Sequence, residues 1–374
     1  MSWTEFIRIP YRNNYLIDEY IKELETQCKK TDADPDRLNL GALVVMWCLT
    51  SVNHQQRYHA SKSLYWYGRN YPFDFLKMVE HYCDINDPYV PERLFGIGYG
   101  IALTFQNRNI EDPIISGFLF PLAKIVINKF FRLECDDRCH YLSRFYCRGI
   151  VKLALRFGFF VSEEENKIIF SPIPRYDSKT IDSWKEVDGF DNLIRMDFSN
   201  YQLGYLIADG NSYSNPPLKK KARWYLHQRI RQLGWNEEQF EEIDNNLGNG
   251  HWSATNDKSK IDRYGKKYSW IAYYQLAGIL EDVGILQNKW DFPPVMPDID
   301  PSFPEIDNSC KLVVNDYLGD DAITAKEWIE NDSPIDLNSL LYGSVLRLGK
   351  TQFICVYGFL HLKIILKLVL GLLM

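Results

Sequence analysis

The sequence predicts a mainly α protein: a helical-repeat (HEAT/TPR-like) solenoid followed by a small α+β C-terminal piece. Three observations carry this. From about Asp18 to about Phe160 apolar residues recur at three- and four-residue steps, as in Leu43, Met46, Trp47 and Thr50, then Phe75, Leu76, Val79 and Tyr82. Breaks at Pro35, Gly68 to Pro72, Asp87-Pro88, Asp112-Pro113 and Cys135 to Arg138 divide that stretch into segments of two to five turns. The same periodicity returns at Pro217 to Leu233 and at Tyr264 to Val283. Short connectors between helices of similar length favour helix pairs stacked side by side, each burying its apolar face on the next. The rhythm carries this expectation; no repeat consensus is visible.

Taken in order, residues 1–160 form the helical-repeat region. Residues 161–289 read as a mixed, mostly helical region. It opens on Lys167-Ile-Ile-Phe-Ser-Pro-Ile-Pro, a short β-like run closed by prolines, and Asn245-Asn-Leu-Gly-Asn-Gly reads as a loop by composition. Residues 290–309 form a Pro-rich linker, since the five prolines from Trp290 to Pro304 bar a helix. Residues 310–352 read as the α+β piece, with one helical turn near Trp328. Residues 353–374 form an apolar tail, long enough to span a bilayer but interrupted by His361, Lys363 and Lys367. Each lysine near the middle of such a span costs roughly 3 kcal/mol on insertion, so a membrane partner is disfavoured. A fragment-end or frame-shifted tail, or a helix that needs a missing partner, fits better.

Length and composition set limits on function. At 374 residues the chain can bury a large core. A net charge of −6 argues against a protein that coats nucleic acid. Aromatic residues reach 15%, with 10 Trp, 24 Tyr and 21 Phe, a supply suited to thick helix interfaces or to a protein-binding surface. Eight scattered cysteines and a start without a secretory signal predict reduced thiols and a cytoplasmic setting.

Four constellations could carry chemistry. Ser344 to Thr351 ends in Gly-Lys-Thr like a phosphate-binding loop, but Ser344 stands where a glycine must let the backbone turn; a polar turn between two apolar strands is the simpler reading. Cys135, Cys139 and His140 form one half of a zinc knuckle with no second half at standard spacing, and Cys147 fits the core face of the next helix. No histidine is marked as base for a cysteine nucleophile, and no cofactor is expected. Lys219 to Arg231 forms a basic helix with Ala222, Leu226, Ile230 and Leu233 as its inner stripe. It is either a nucleic-acid face or a solvated helix balanced by Glu237, Glu238, Glu241 and Glu242. Finally, Arg263, Lys266 and Lys267 open a helix whose Trp270, Ile271, Tyr274 and Ala277 pack inward. Positive charge there opposes the helix dipole by some tenths of a kcal/mol, so pairing with acidic groups, within the chain or on a partner, is expected.

The run Arg263-Tyr-Gly-Lys-Lys-Tyr-Ser-Trp-Ile-Ala-Tyr-Tyr274 resembles a signature in the C-terminal part of antiviral STAND NTPases, the Avs-type bacterial anti-phage sensors. Asn86 to Phe95 with Tyr99-Gly100, Tyr141 to Ile150, Asp197 to Tyr201, Leu233 to Phe240 and Val356 to Leu360 are similar in the same order, covering most of residues 40 to 360. The resemblance implies a sensor module that binds a phage protein such as terminase or portal, without its own catalysis. It also implies an ATPase that the sensor controls, here expected from a neighbouring gene. The chain departs from that plan in having no credible P-loop or nuclease motif, and the pattern ends after Leu360, as in a truncated member. Partner-binding is expected at Arg263, Lys266, Lys267 and Trp270. The alternatives are a nucleic-acid-associated protein using the 219–231 helix, or an inactive remnant of a larger protein.

Overall fold

The computed structural model describes residues 3–8, 15–30, 33–106, 108–132, 136–171, 176–187, 194, 198–207, 216–249, 263–286, 346–348 and 351–353. The chain divides into two compact units, residues 1–300 and 301–374.

The first unit is helical, as the periodicity predicts. Its helices are α1 (Trp3–Arg8), α2 (Tyr15–Cys28), α3 (Pro35–Trp47), α4 (His54–Asn70), α5 (Pro72–Tyr82), α6 (Tyr89–Leu103), α7 (Phe120–Val126), α8 (Tyr141–Arg156), α9 (Glu163–Phe170), α10 (Ser178–Asp182), α11 (Leu203–Leu206), α12 (Pro217–Gln232), α13 (Glu237–Asn249) and α14 (Tyr264–Val283). Local chemistry sets many of the starts. Pro35 and Pro72 open α3 and α5, where a missing N–H costs nothing. Asp34 and Asn53 accept N–H groups of the first turns of α3 and α4. Wide turns at Ile115–Leu119 and Ile127–Phe131 flank α7, and the first precedes Pro121, which cannot supply the regular backbone bond.

Two rows of helices result. In one row α2 packs on α4, α4 on α6 and α6 on α8; α3, α5 and α7 form the second row, each bridging members of the first or its neighbour. This is the stacked-pair arrangement expected of helical repeats. Phe75, Phe95, Phe118 and Phe131 are fully buried between the rows, each worth about 1.5–3 kcal/mol by transfer from water. Where α6 crosses α8, Gly149 leaves room for the Tyr99 ring; a Cβ there would lie 2.5 Å from it.

Residue 160 marks no break in packing. Helix α14 lies on α8, next along the first row, and α12 lies on α14. The far end of the chain's helical pattern thus continues the row that the first 156 residues begin.

Two expectations are corrected. The β-like run at Lys167 is the second half of α9. Ser162 and Glu165 form a capping box, with Ser162 Oγ accepting the Glu165 N–H at 3.1 Å and the Glu165 carboxylate accepting the Ser162 N–H at 2.9 Å. That nucleus outweighs the β preference of two isoleucines. The loop expected at Asn245 is helical to Asn249, because α13 is started by the Asn236 side chain and held by Asp244, while its asparagines cost some tenths of a kcal/mol each and Gly248 about 1 kcal/mol.

In the second unit Leu346–Leu348 pairs antiparallel with Thr351–Phe353, Leu348 opposite Thr351. A phosphate-binding loop would start a helix at this threonine; here it starts a strand, as the polar-turn reading requires. The rest of the expected α+β piece, the Pro-rich linker and the tail beyond Phe353 lie outside the described residues. Among the described residues no helix is long and apolar enough to cross a membrane.

Candidate functional site

The N-terminal half of α14 carries the four predicted partner-binding residues, and the fold treats them differently. Lys267 is buried: its ammonium lies 2.6 Å from a carboxylate oxygen of Asp87, before α6, and 3.0 Å from the carbonyl of Thr50. It also faces the ring of Tyr89, 5.3 Å from the centroid, and the Arg57 guanidinium lies 4.4 Å from the same centroid. Burial lowers its pKa, with the Asp87 charge opposing. This lysine is a tie between helices, so its expected contact with a partner is corrected. The reason is geometric, since α14 runs alongside the repeat row and turns this side chain inward.

Trp270 is half-buried in an aromatic cluster with Phe198 at 5.1 Å and Tyr273 at 5.3 Å. Arg263 and Lys266 are half-exposed, and they remain the surface part of the predicted set. The dipole conflict at this helix start is answered by Asp244 of α13. Its carboxylate accepts the N–H groups of Tyr264 at 2.6 Å and Gly265 at 2.7 Å, and the indole N–H of Trp235 at 3.1 Å. A buried anion therefore sits where the helix offers unpaired donors.

At the other end of α14 the Arg144 guanidinium is bidentate to Asp282, at 2.8 and 2.9 Å, and reaches Glu281 at 2.9 Å. Between the ends, Gly278 lies against the backbone before α8: a Cβ there would fall 1.7 Å from the Cys139 carbonyl oxygen.

His140 belongs to the same contact. Its Nδ1 accepts the Ser143 N–H at 3.3 Å and so caps α8, its ring packs 5.3 Å from that of Tyr274, and its Nε2 points to Glu92 at 3.6 Å. Burial, aided by the Arg93 charge, pushes its pKa down to about 3. Cys139 and Cys147 are buried, Cys147 on the core face of α8 as its spacing predicts. Cys135 lies outside the described residues, and among those described no three side chains gather as metal ligands. Burial also raises the thiols of Cys28 and Cys83 to about 11 and that of Cys48 to about 12, away from thiolate chemistry.

The basic helix, α12, buries Ala222, Leu226 and Ile230 as expected. Its cations do not form one open face. Lys219 is buried, Lys221 pairs with Asp182 at 2.6 Å, Arg229 donates to Gln275 at 2.7 Å, and Arg231 pairs with Glu237. Of the nearby glutamates Glu237 supplies one of these pairings, and Asp182 supplies another.

An open cleft of about 400 Å³ lies elsewhere, between the α4–α5 turn and the α6–α7 connector. Arg69, Tyr71, Phe73 and Asp74 line one side, Phe105, Arg108 and Ile114 the other. Phe73 is 50% exposed, and Arg69 lies over Trp66, 5.2 Å from the ring centroid. Arg108 pairs with Asp112 at 3.2 Å. Beyond the cleft Ile110 projects from the same α6–α7 connector and Phe160 from the α8–α9 connector, 59% and 82% exposed. The connectors touch, because a Cβ at Gly158 would stand 3.5 Å from Ile110 Cδ1. Volume, arginines and exposed rings are the ingredients of a macromolecular contact. Sequence reasoning missed this cleft because its parts come from two connectors some 35 residues apart with no shared spacing. No family model, curated protein or solved structure matches the chain.

Proposed function

We propose that the chain is a protein-recognition module of a cytoplasmic bacterial anti-phage defence protein, a sensor that grips a phage protein such as terminase or portal and performs no catalysis itself. The observation that carries the reading is the cleft between Arg69 and Arg108, with Phe73, Ile110 and Phe160 exposed along the same edge. Guanidinium groups and rings of this type supply the anchors of protein interfaces, where a few side chains hold most of the binding energy. The buried polar ties support it indirectly. Lys267, Arg144 and Asp244 are engaged in joining helices, which suits a stiff scaffold. Output would then fall to another chain, an ATPase encoded nearby, as the resemblance of Arg263 to Tyr274 implies.

The test is calorimetric titration of the purified chain with purified phage terminase and portal proteins. Binding by one of them, weakened at least about tenfold by Phe73→Ala with Arg69→Glu, is the expected result. Absence of binding by both, or binding indifferent to the two substitutions, would overturn it.

A further inference from the structure

Of the twelve large apolar residues that stand exposed among the described residues, seven lie between Trp3 and Trp47, at the start of the helix rows. Three of them, Leu40, Val44 and Trp47, fall at i, i+4 and i+7 on α3, which is the stripe by which a helix packs on another helix. Leu16 and Tyr20 extend the stripe onto α2: the Tyr20 hydroxyl lies 3.0 Å from where a Cβ of Gly41 would stand. Trp3 extends it on the other side, its indole N–H donating to the Trp47 carbonyl at 2.9 Å. The surface is therefore continuous. A contiguous exposed apolar surface of this kind marks a contact site.

We infer that this end face is the interface between two copies of the chain, related by a twofold axis that passes near Val44. Area is the first argument. At 150–250 Å² for a whole aromatic side chain, the exposed fractions add up to roughly 600 Å² of apolar surface. That reaches the upper end of the largest patch on a typical monomer, about 300–600 Å², and approaches the ~800 Å² that each partner buries in a standard interface. Charge is the second. Among the described residues from Leu16 to Trp47 the exposed ionic side chains are Glu19, Glu23, Asp34 and Asp36 against Lys22, Lys29, Lys30 and Arg37, both signs in balance. Such a set carries no field that would select a strongly charged partner, whereas a twofold can set unlike charges opposite each other. A stripe with Val44 at its middle also meets its own copy in register when the two helices run antiparallel. The inference is independent of what the Arg69–Arg108 cleft binds.

Sedimentation analysis of the full chain from about 0.1 to about 100 µM tests it. A dimer is expected, and Val44→Glu raises its dissociation constant at least about 100-fold while the helical circular dichroism stays unchanged. Leu16→Lys, on the other helix, gives the same shift if the face is continuous. Val44→Cys forms an intermolecular disulfide on mild oxidation. A monomer across the whole range, or a dimer that Val44→Glu and Leu16→Lys leave intact, overturns the assignment.

Discussion

The ammonium of Lys267 and the carboxylate of Asp87 meet at 2.6 Å across 180 residues of sequence, joining α14 to the segment that opens α6. The lysine end is 3% exposed and the aspartate end 18%, so the two partners are unequal. Asp87→Asn leaves a buried cation without its counter-charge and is expected to cost about 3 kcal/mol, whereas Lys267→Met leaves a carboxylate that water can reach and costs about 1 kcal/mol. The double substitution recovers most of the loss. Urea unfolding of the three variants checks the order, and equal losses for both single substitutions would contradict it.

His140 makes folding sensitive to acid. Its folded pKa, about 3, lies below the unfolded value of 6.5, so the unfolded chain binds the extra proton first. Its contribution is complete above pH 6.5 and is lost as pH falls towards 3, on the order of 5 kcal/mol in all. His140→Asn keeps a side-chain acceptor for the start of α8 and removes the titration. Melting temperatures measured from pH 7 to pH 4 should fall more steeply for the wild type than for this variant. Parallel curves would refute the assignment.

Gly278→Ala is expected to be the most damaging small substitution in α14. The added methyl meets the Cys139 carbonyl at 1.7 Å, and both sides are backbone that cannot step aside. A loss of about 3 kcal/mol is expected, against a gain of about 1 kcal/mol for the same change at an unconstrained helix position. Chemical denaturation measures it; a neutral result would mean that α14 does not lie against the α8 entry.

Asp244 joins α13 to α14 through three accepted hydrogen bonds. Asp244→Ala leaves the Tyr264 and Gly265 N–H groups and the Trp235 indole unsatisfied, at a cost of about 2–4 kcal/mol, and Asp244→Asn falls between that and wild type. The loss should appear in hydrogen exchange as faster opening of the first turn of α14. Unchanged exchange there would sink this account of the cap.

The helices were legible in the sequence because apolar spacing, prolines and polar breaks act within a few residues. Leu43, Met46 and Trp47 announce α3, and Ala222, Leu226 and Ile230 announce the buried side of α12. Misreadings arose where a local device was overlooked, as with the Ser162–Glu165 box, or where a weak helix is tied to a distant one, as α13 is to α14 through Asp244 beside Asn245 to Asn249. The unusual charge at the start of α14 was visible; that Lys267 turns inward to Asp87 was not, since the two are brought together only by the row of helices. The cleft was invisible for the same reason. Phe73 and Phe105 look like any other aromatics until the α4–α5 turn and the α6–α7 connector come side by side.

Hydrogen exchange of the chain with and without terminase or portal protein tests the recognition reading most directly. Protection concentrated in residues 69–74 and 105–114, with little change in the buried body of α14, is the predicted result. A footprint confined to α12, or no footprint on the cleft in a complex that demonstrably forms, would contradict it.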